Sequence, residues 1–209
     1  MTESVAQFIH NLRWMGWNLF LAFIPFALSL ILFAKRSPKP HRNPFWWLSL
    51  GILILFLPNA PYILTDIIHF VSDVRLPNIT DNGIIFILIP QYTVFLLLGF
   101  QCYVISLMGL TDYLARYKFI QNSIALELVL HFLCAIGVYW GRFNRLNSWD
   151  VFTQPKLVIL NGLANFSNPN FYVGIVLFFV IFTFLYYICK LINQAIAFYW
   201  QNRPSQASV

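Results

Sequence analysis

The sequence predicts an all-α protein, a polytopic bundle that crosses a membrane with about five helices. Three observations lead to this prediction: 59% of the 209 residues are hydrophobic, only 10% are charged, and long apolar runs recur along the whole chain. A soluble domain usually needs roughly 25% charged residues to cover its surface. The surface of this chain must therefore contact a lipid bilayer, and we expect a single membrane domain over residues 1–209.

Each of the five apolar runs approaches or exceeds the roughly 20 residues that a helix needs to cross a bilayer. They predict spanning helices over approximately residues 14–34, 45–63, 84–110, 123–140 and 171–192. The first run ends at a basic loop, and the second ends at two prolines. Charged or turn residues separate the others, and tryptophans such as Trp14, Trp47 and Trp140 mark run ends, as in an interfacial belt. The apolar stretch 156–166 is too short to span, so we expect an interfacial or re-entrant segment.

Basic residues indicate the orientation, because lysine and arginine are enriched in cytoplasmic loops. The loop after the first run holds four of them, Lys35, Arg36, Lys39 and Arg42. The next loop is mainly acidic, Arg116 and Lys118 follow the third run, and the tail carries Arg203. This pattern predicts an outside N-terminus and a cytoplasmic C-terminus. Because the net charge of +6 lies mostly in such short loops, we expect no nucleic-acid partner.

The first polar segment, residues 56–70, follows the second run at its outer end. Pro58 and Pro61 remove backbone donors, and the Asn59 amide can supply partners for the freed carbonyl groups. The candidate ligand-binding and acid–base residues of this segment are Asn59, Tyr62, Thr65, Asp66 and His69. In a helix, Asp66 and His69 would share a face, as an acid–base pair requires. The alternative is a structural kink in which Asp66 caps the next helix and links to His69.

The second polar segment, residues 141–150, directly follows the fourth run. Its candidate ligand-binding residues are Arg142, Arg145, Asn147, Trp149 and Asp150. The planar fork of arginine suits carboxylate and phosphate groups. The predicted topology places this segment on the same side as Asp66 and His69, so one pocket could contain both. The alternative is that the arginines only pair with aspartates to tie two loops together.

Glu127 and His131 lie four residues apart inside the fourth run. An unpaired carboxylate in the hydrocarbon costs about 2.5 kcal/mol or more, so both residues should face the bundle interior and could pair with each other. They are candidates for an intramembrane proton relay, and packing contacts are the alternative.

The two polar segments together resemble a family of bacterial integral membrane proteins known as domain of unknown function 1361. The resemblance is carried by Pro58-Asn-Ala-Pro61-Tyr62 with Thr65, Asp66 and His69, by residues 141–150, and by Trp17-Asn18-Leu in the first run. It implies a multi-pass protein of a bacterial plasma membrane and supplies no catalytic residue, cofactor or protein partner.

The leading functional hypothesis is an extracytoplasmic site that binds or processes an anionic lipid head group or a small anionic metabolite. Arg142 and Arg145 would bind the anion, and Asp66 with His69 would transfer protons. A proton-coupled transporter or channel and a non-enzymatic assembly subunit are the alternatives. The sequence leaves open whether the protein is an enzyme and which cofactor it uses, and it assigns no residue as a metal ligand.

Overall fold

The computed structural model describes residues 2–33 and 43–202, and all regular secondary structure in these ranges is helical. Five stretches are long and apolar enough to cross a membrane: Glu3–Phe33, Pro44–Val74, Asp81–Arg116, Ser123–Phe143 and Pro169–Gln201. The predicted all-α bundle with five spanning helices is thereby confirmed. The basic loop that the orientation prediction used, with Lys35, Arg36, Lys39 and Arg42, lies outside the described residues, and so does Arg203.

The first two stretches and the short helices between them build one side of the bundle. They comprise α1 (Thr2–Phe33), α2 (Pro44–Phe56), α3 (Asn59–Tyr62), a 3₁₀ turn (Ile63–Asp66) and α4 (Ile67–Val74). The third stretch begins with α5 (Asp81–Gly83) and a π turn (Ile84–Leu88) and continues as α6 (Ile89–Arg116). The remaining helices are α7 (Ser123–Phe143), α8 (Asp150–Thr153), α9 (Pro155–Asn165) and α10 (Pro169–Gln201).

The prolines of the second stretch break its helix, as the sequence predicts. Pro58 and Pro61 have no backbone N–H, so regular helical hydrogen bonding stops after α2. The Asn59 Nδ2 donates to the Phe56 carbonyl oxygen at 3.0 Å, because the Ala60 N–H that would bond this oxygen in a regular helix donates to the Leu57 carbonyl instead. The chain stays helical beyond the break in three short pieces, which bring Tyr62, Asp66 and His69 to the same end of the bundle as the end of α7.

Extensive packing of α1 against α6 and of α7 against α10 holds the bundle together. Tyr103, Phe182 and Tyr186 are fully buried at the centre, where α6 and α10 meet α7. Close approach depends on glycine at two positions of α7 and α10. A Cβ at Gly137 would lie 2.9 Å from Pro58, and one at Gly174 would lie 2.8 Å from the Tyr139 ring.

The segment predicted as interfacial or re-entrant forms the single helix α9. Asn144, which follows α7, donates to Asn161 at 3.1 Å and accepts from Asn165 at 3.1 Å, so α9 is tied to the end of α7. Large apolar side chains of α9 remain exposed, among them Ile159 and Leu160. One helix with a polar face on the bundle and an exposed apolar face favours the interfacial interpretation over a re-entrant hairpin.

Candidate functional site

A cleft of about 610 Å³ lies where α1, α3, α4 and the end of α7 meet. Both polar segments of the sequence reach it, and α1 adds a third wall. Its polar lining consists of Asn18, Asn59, Tyr62, His69, Arg142, Arg145 and Asn147. Six of these seven residues are candidates from the sequence, and the two segments are thus brought together as the predicted topology requires. The functional roles assigned to them remain predictions.

Asp66 lies behind the wall of this cleft and is only 1% exposed. Its Oδ2 accepts a hydrogen bond from Asn18 Nδ2 at 2.8 Å, and its Oδ1 lies 3.4 Å from Arg142 Nη1. His69 Nε2 is 3.8 Å from the same Oδ1, which is beyond hydrogen-bond length. Asp66 is the last residue before α4, but its side chain makes no capping hydrogen bond there. The carboxylate therefore holds neighbouring side chains in place instead of capping the helix.

Arg142 is held in the cleft through one end of its guanidinium group. Its Nη1 contacts both Asp66 Oδ1 and the Tyr62 hydroxyl, which lies 3.5 Å away. Gly141 allows this arrangement, because a Cβ there would lie 3.2 Å from the Tyr62 ring. Since a guanidinium group carries five N–H donors, the rest of the fork stays available to a ligand. His69 also lines the cleft; its ring packs on Trp14, with the centroids 4.8 Å apart.

Arg145 differs from Arg142 because it is exposed and makes no side-chain hydrogen bond or ion pair within the described part of the chain. Its φ of 56° places it in the left-handed region, just beyond the end of α7. Glycine is the usual residue at this position of a helix end. The backbone reversal directs the chain into the loop 146–149, and the Arg145 side chain lines the cleft. The cleft thus contains a cation whose charge is not matched by a neighbouring carboxylate.

Two other candidates, Thr65 and Asp150, have local roles in the structure. The Thr65 hydroxyl donates to the Tyr62 carbonyl oxygen at 2.7 Å, so it stabilises the 3₁₀ turn. Asp150 is 5% exposed and accepts from the Asn147 backbone N–H at 2.7 Å, which folds the loop before α8. Trp149 is half-buried and is not part of the cleft wall. Asn59 joins the two polar segments through a 2.8 Å hydrogen bond from its Nδ2 to Ser148 Oγ.

A second polar network lies beside the cleft and was not predicted from the sequence. Asp73 is 7% exposed and accepts hydrogen bonds from Gln7 at 3.0 Å, Asn11 at 2.6 Å and the Tyr92 hydroxyl at 2.9 Å. Gln7, Asn11 and Asn18 follow each other along one side of α1 at intervals of four and seven residues, which is helical spacing. That stripe is the sequence signal that α1 contributes to the site.

Glu127 and His131 are both completely buried, and each hydrogen-bonds to a different neighbour instead of to the other. Glu127 Oε1 lies 2.5 Å from Lys190 Nζ and accepts a 3.0 Å hydrogen bond from the Tyr186 hydroxyl. His131 Nδ1 lies 2.5 Å from the Tyr103 hydroxyl. The buried carboxylate therefore has a cationic partner, Lys190 of α10, which the sequence analysis did not identify.

Comparison with known proteins finds one family whose sequence model matches the chain. The family described as protein of unknown function (DUF1361) matches residues 17–188. The chain belongs to this family. The match includes both polar segments and Asn18, and the resemblance inferred from those segments is confirmed. No curated protein and no solved structure matches the chain.

Proposed function

We propose that this DUF1361 protein binds an anionic ligand, either a lipid head group or a small metabolite, in the cleft at its extracytoplasmic end. The observation that carries the proposal is the charge balance of the cleft. Arg142 and Arg145 bring two permanent positive charges, and Asp66 is the one carboxylate in contact with either of them among the described residues. The remaining positive charge and the free donors of Arg142 suit a phosphate or a carboxylate.

The extracytoplasmic location is supported by the position of the basic residues. The cleft lies at the C-terminal end of α7, whereas Arg116 and Lys118 precede its N-terminal end. With 21 residues, α7 is long enough to separate the two ends by a membrane. On the predicted topology, eight of the 13 basic residues of the sequence lie on the Arg116 side and five on the cleft side. By the positive-inside rule this excess supports a cytoplasmic Arg116 end and a cleft on the outside of a bacterial plasma membrane.

Asp66 and His69 have separate roles in this proposal. Asp66 is enclosed and contacts Arg142 and Asn18, so it is a positioning residue that fixes the anion-binding guanidinium. His69 is about half exposed and lines the cleft, so it is the group that could exchange a proton with a bound ligand. Ligand processing would need the 3.8 Å separation between His69 and Asp66 to shorten, as catalytic hydrogen bonds often do on substrate binding.

The test is binding of glycerol phosphate to the detergent-purified protein, measured by isothermal titration calorimetry. Arg145→Gln should weaken binding by about tenfold or more, because a hydrogen bond to a charged group contributes roughly 1.5–3 kcal/mol. Arg13→Gln is the matched control, since Arg13 is an exposed arginine of α1 outside the cleft lining. The proposal is wrong if the wild-type protein binds neither this probe nor inorganic phosphate, or if both variants bind as wild type does.

Transport is the second candidate, and the buried Glu127–Lys190 pair favours it. It is less well supported, because the buried α7 residues between His131 and the cleft are Cys134, Ala135, Val138 and Tyr139. These residues form a largely apolar layer instead of a polar path. Transport would be established by proton uptake into liposomes that contain the protein, if Glu127→Gln abolishes that uptake.

An assembly subunit is the remaining alternative. It would be indicated by a stable partner protein that stays bound to the Arg145→Gln variant.

A further inference from the structure

An apolar groove of about 270 Å³ lies next to the cleft and shares part of its wall. Both spaces are lined by Asn59, Tyr62, Leu146 and Asn147, so the two spaces are adjacent. The two spaces differ in chemistry. The cleft contains the arginines and His69, whereas most of the residues lining the groove are apolar.

The walls of the groove come from α2, α7 and the α8–α9 segment. Ile54 of α2 and Leu133 of α7 are 42% and 50% exposed, so this part of the groove is open at the surface that faces lipid. Val151 and Val158 of the α8–α9 segment complete it on the other side. Asn144 ties α9 to the end of α7 through Asn161 and Asn165, which keeps Val158 in position.

Trp140 also lines the groove. It lies on α7 two residues before Arg142, which lines the cleft, so the same helix contributes to both spaces.

We infer that the ligand is an anionic amphiphile of the phospholipid type, with its head group in the cleft and one acyl chain in the groove. This inference rests on the proposed function and narrows its ligand class from any small anion to one with an attached hydrocarbon chain. The head group contacts Arg142 and Arg145, and the chain lies along Leu133 and Val158. Hydrocarbon gains little free energy in moving from a bilayer into an apolar groove, so the groove selects and orients the lipid while the arginines supply most of the affinity.

The test uses a phosphatidic acid with a photoreactive diazirine in its acyl chain, in phosphatidylcholine vesicles containing the full-length protein. A phosphatidylcholine with the same diazirine chain measures ordinary contact with surrounding lipid. The acidic probe should label the groove peptides of α7 and α8–α9 several-fold more strongly than the neutral probe. Val158→Trp, which fills the groove, should remove this excess, and Arg145→Gln should reduce the labelling by the acidic probe to near that of the neutral probe.

The matched control is Ile159→Trp, one residue further along α9 on its exposed side. It adds the same indole without filling the groove and should leave the labelling unchanged. Equal labelling by the acidic and neutral probes, or loss of labelling in both tryptophan variants, would overturn the inference. Glycerol phosphate binding separates this failure from that of the proposed function. If Val158→Trp and wild type bind glycerol phosphate equally while the acidic probe shows no excess, the anion site stands and the acyl-chain groove does not.

Discussion

Arg142 and Asp66 link the two polar segments of the sequence, with Nη1 of the arginine 3.4 Å from Oδ1 of the buried carboxylate. Asn18 of α1 holds the other carboxylate oxygen, so three separate helical elements meet at one side chain. A guanidinium group that is already oriented in this way loses less conformational freedom when a ligand binds. The contact therefore joins the two segments and also fixes the orientation of the Arg142 guanidinium group in the cleft.

A double-mutant cycle should show that Arg142 and Asp66 are energetically coupled. Arg142→Gln leaves the carboxylate without its cation, and Asp66→Asn leaves the guanidinium without its anchor, so each variant should be less stable than wild type. The double variant should be more stable than the sum of the two losses predicts, with a coupling of about 1 kcal/mol or more. The free energy of unfolding is measured by SDS titration in mixed micelles.

The control for this cycle is Asp81→Asn, which neutralises an exposed aspartate at the start of α5. Its effect should add to that of Arg142→Gln without coupling. Strict additivity of Asp66→Asn with Arg142→Gln would mean that the 3.4 Å contact contributes nothing to the free energy of unfolding.

Lys190→Met should be strongly destabilising, because it leaves Glu127 buried without a cation. Glu127 is fully buried and its partner lysine is 19% exposed, so removing the lysine should cost about 3 kcal/mol or more. Adding Glu127→Gln to that variant should recover part of the loss, since the second change removes the buried charge. SDS unfolding of the two variants measures both effects.

The control is Lys156→Met, which removes an exposed lysine of α9 and should change the free energy of unfolding little. An equal loss of stability in Lys190→Met and Lys156→Met would contradict a structural role for the Glu127–Lys190 pair.

Tyr92→Phe should reveal the Asp73 network beside the cleft. The Tyr92 hydroxyl donates to Asp73 Oδ2 at 2.9 Å in a buried setting, and a hydrogen bond to a charged acceptor contributes about 1.5–3 kcal/mol. The loss should appear as a lower free energy of unfolding in the same SDS titration. Tyr172→Phe removes one hydroxyl as well, but Tyr172 is exposed and donates to the Phe166 carbonyl oxygen, so its effect should be much smaller. Similar losses in the two variants would show that burial of the acceptor does not matter here.

The sequence alone predicts the five spanning helices because hydrocarbon thickness and charge scarcity leave few alternatives. It does not predict where the helices end. Helix α1 begins at Thr2, whereas the predicted membrane span begins near residue 14, and the polar residues Gln7 and Asn11 in the turns before that span bond to Asp73. Hydropathy counts such residues as outside the membrane helix, whereas packing against a neighbouring element keeps them helical.

The candidate site follows from the sequence only in part. Arg142, Arg145 and Asn59 could be found because polar residues stand out at the ends of apolar runs. Asn18 was not assigned to the site, since a single polar residue within a long run does not reveal which neighbour it faces. The partner of Glu127 was also missed, because Lys190 is 63 residues away and only the packing of α7 on α10 joins them.

Two basic residues, Lys118 and Arg145, have a left-handed backbone conformation. Comparing their glycine variants separates the effect on ligand binding from the effect on stability. Lys118 has a φ of 58° just beyond α6, and Arg145 has a φ of 56° just beyond α7. A residue with a Cβ is strained by about 1 kcal/mol or more in this region, and glycine is not. Lys118→Gly and Arg145→Gly should therefore both maintain or raise the free energy of unfolding. Only Arg145→Gly should lose glycerol phosphate binding, because only Arg145 lines the cleft. Loss of binding without loss of stability separates a ligand contact from a fold defect, whereas normal binding by Arg145→Gly would remove this arginine from the site.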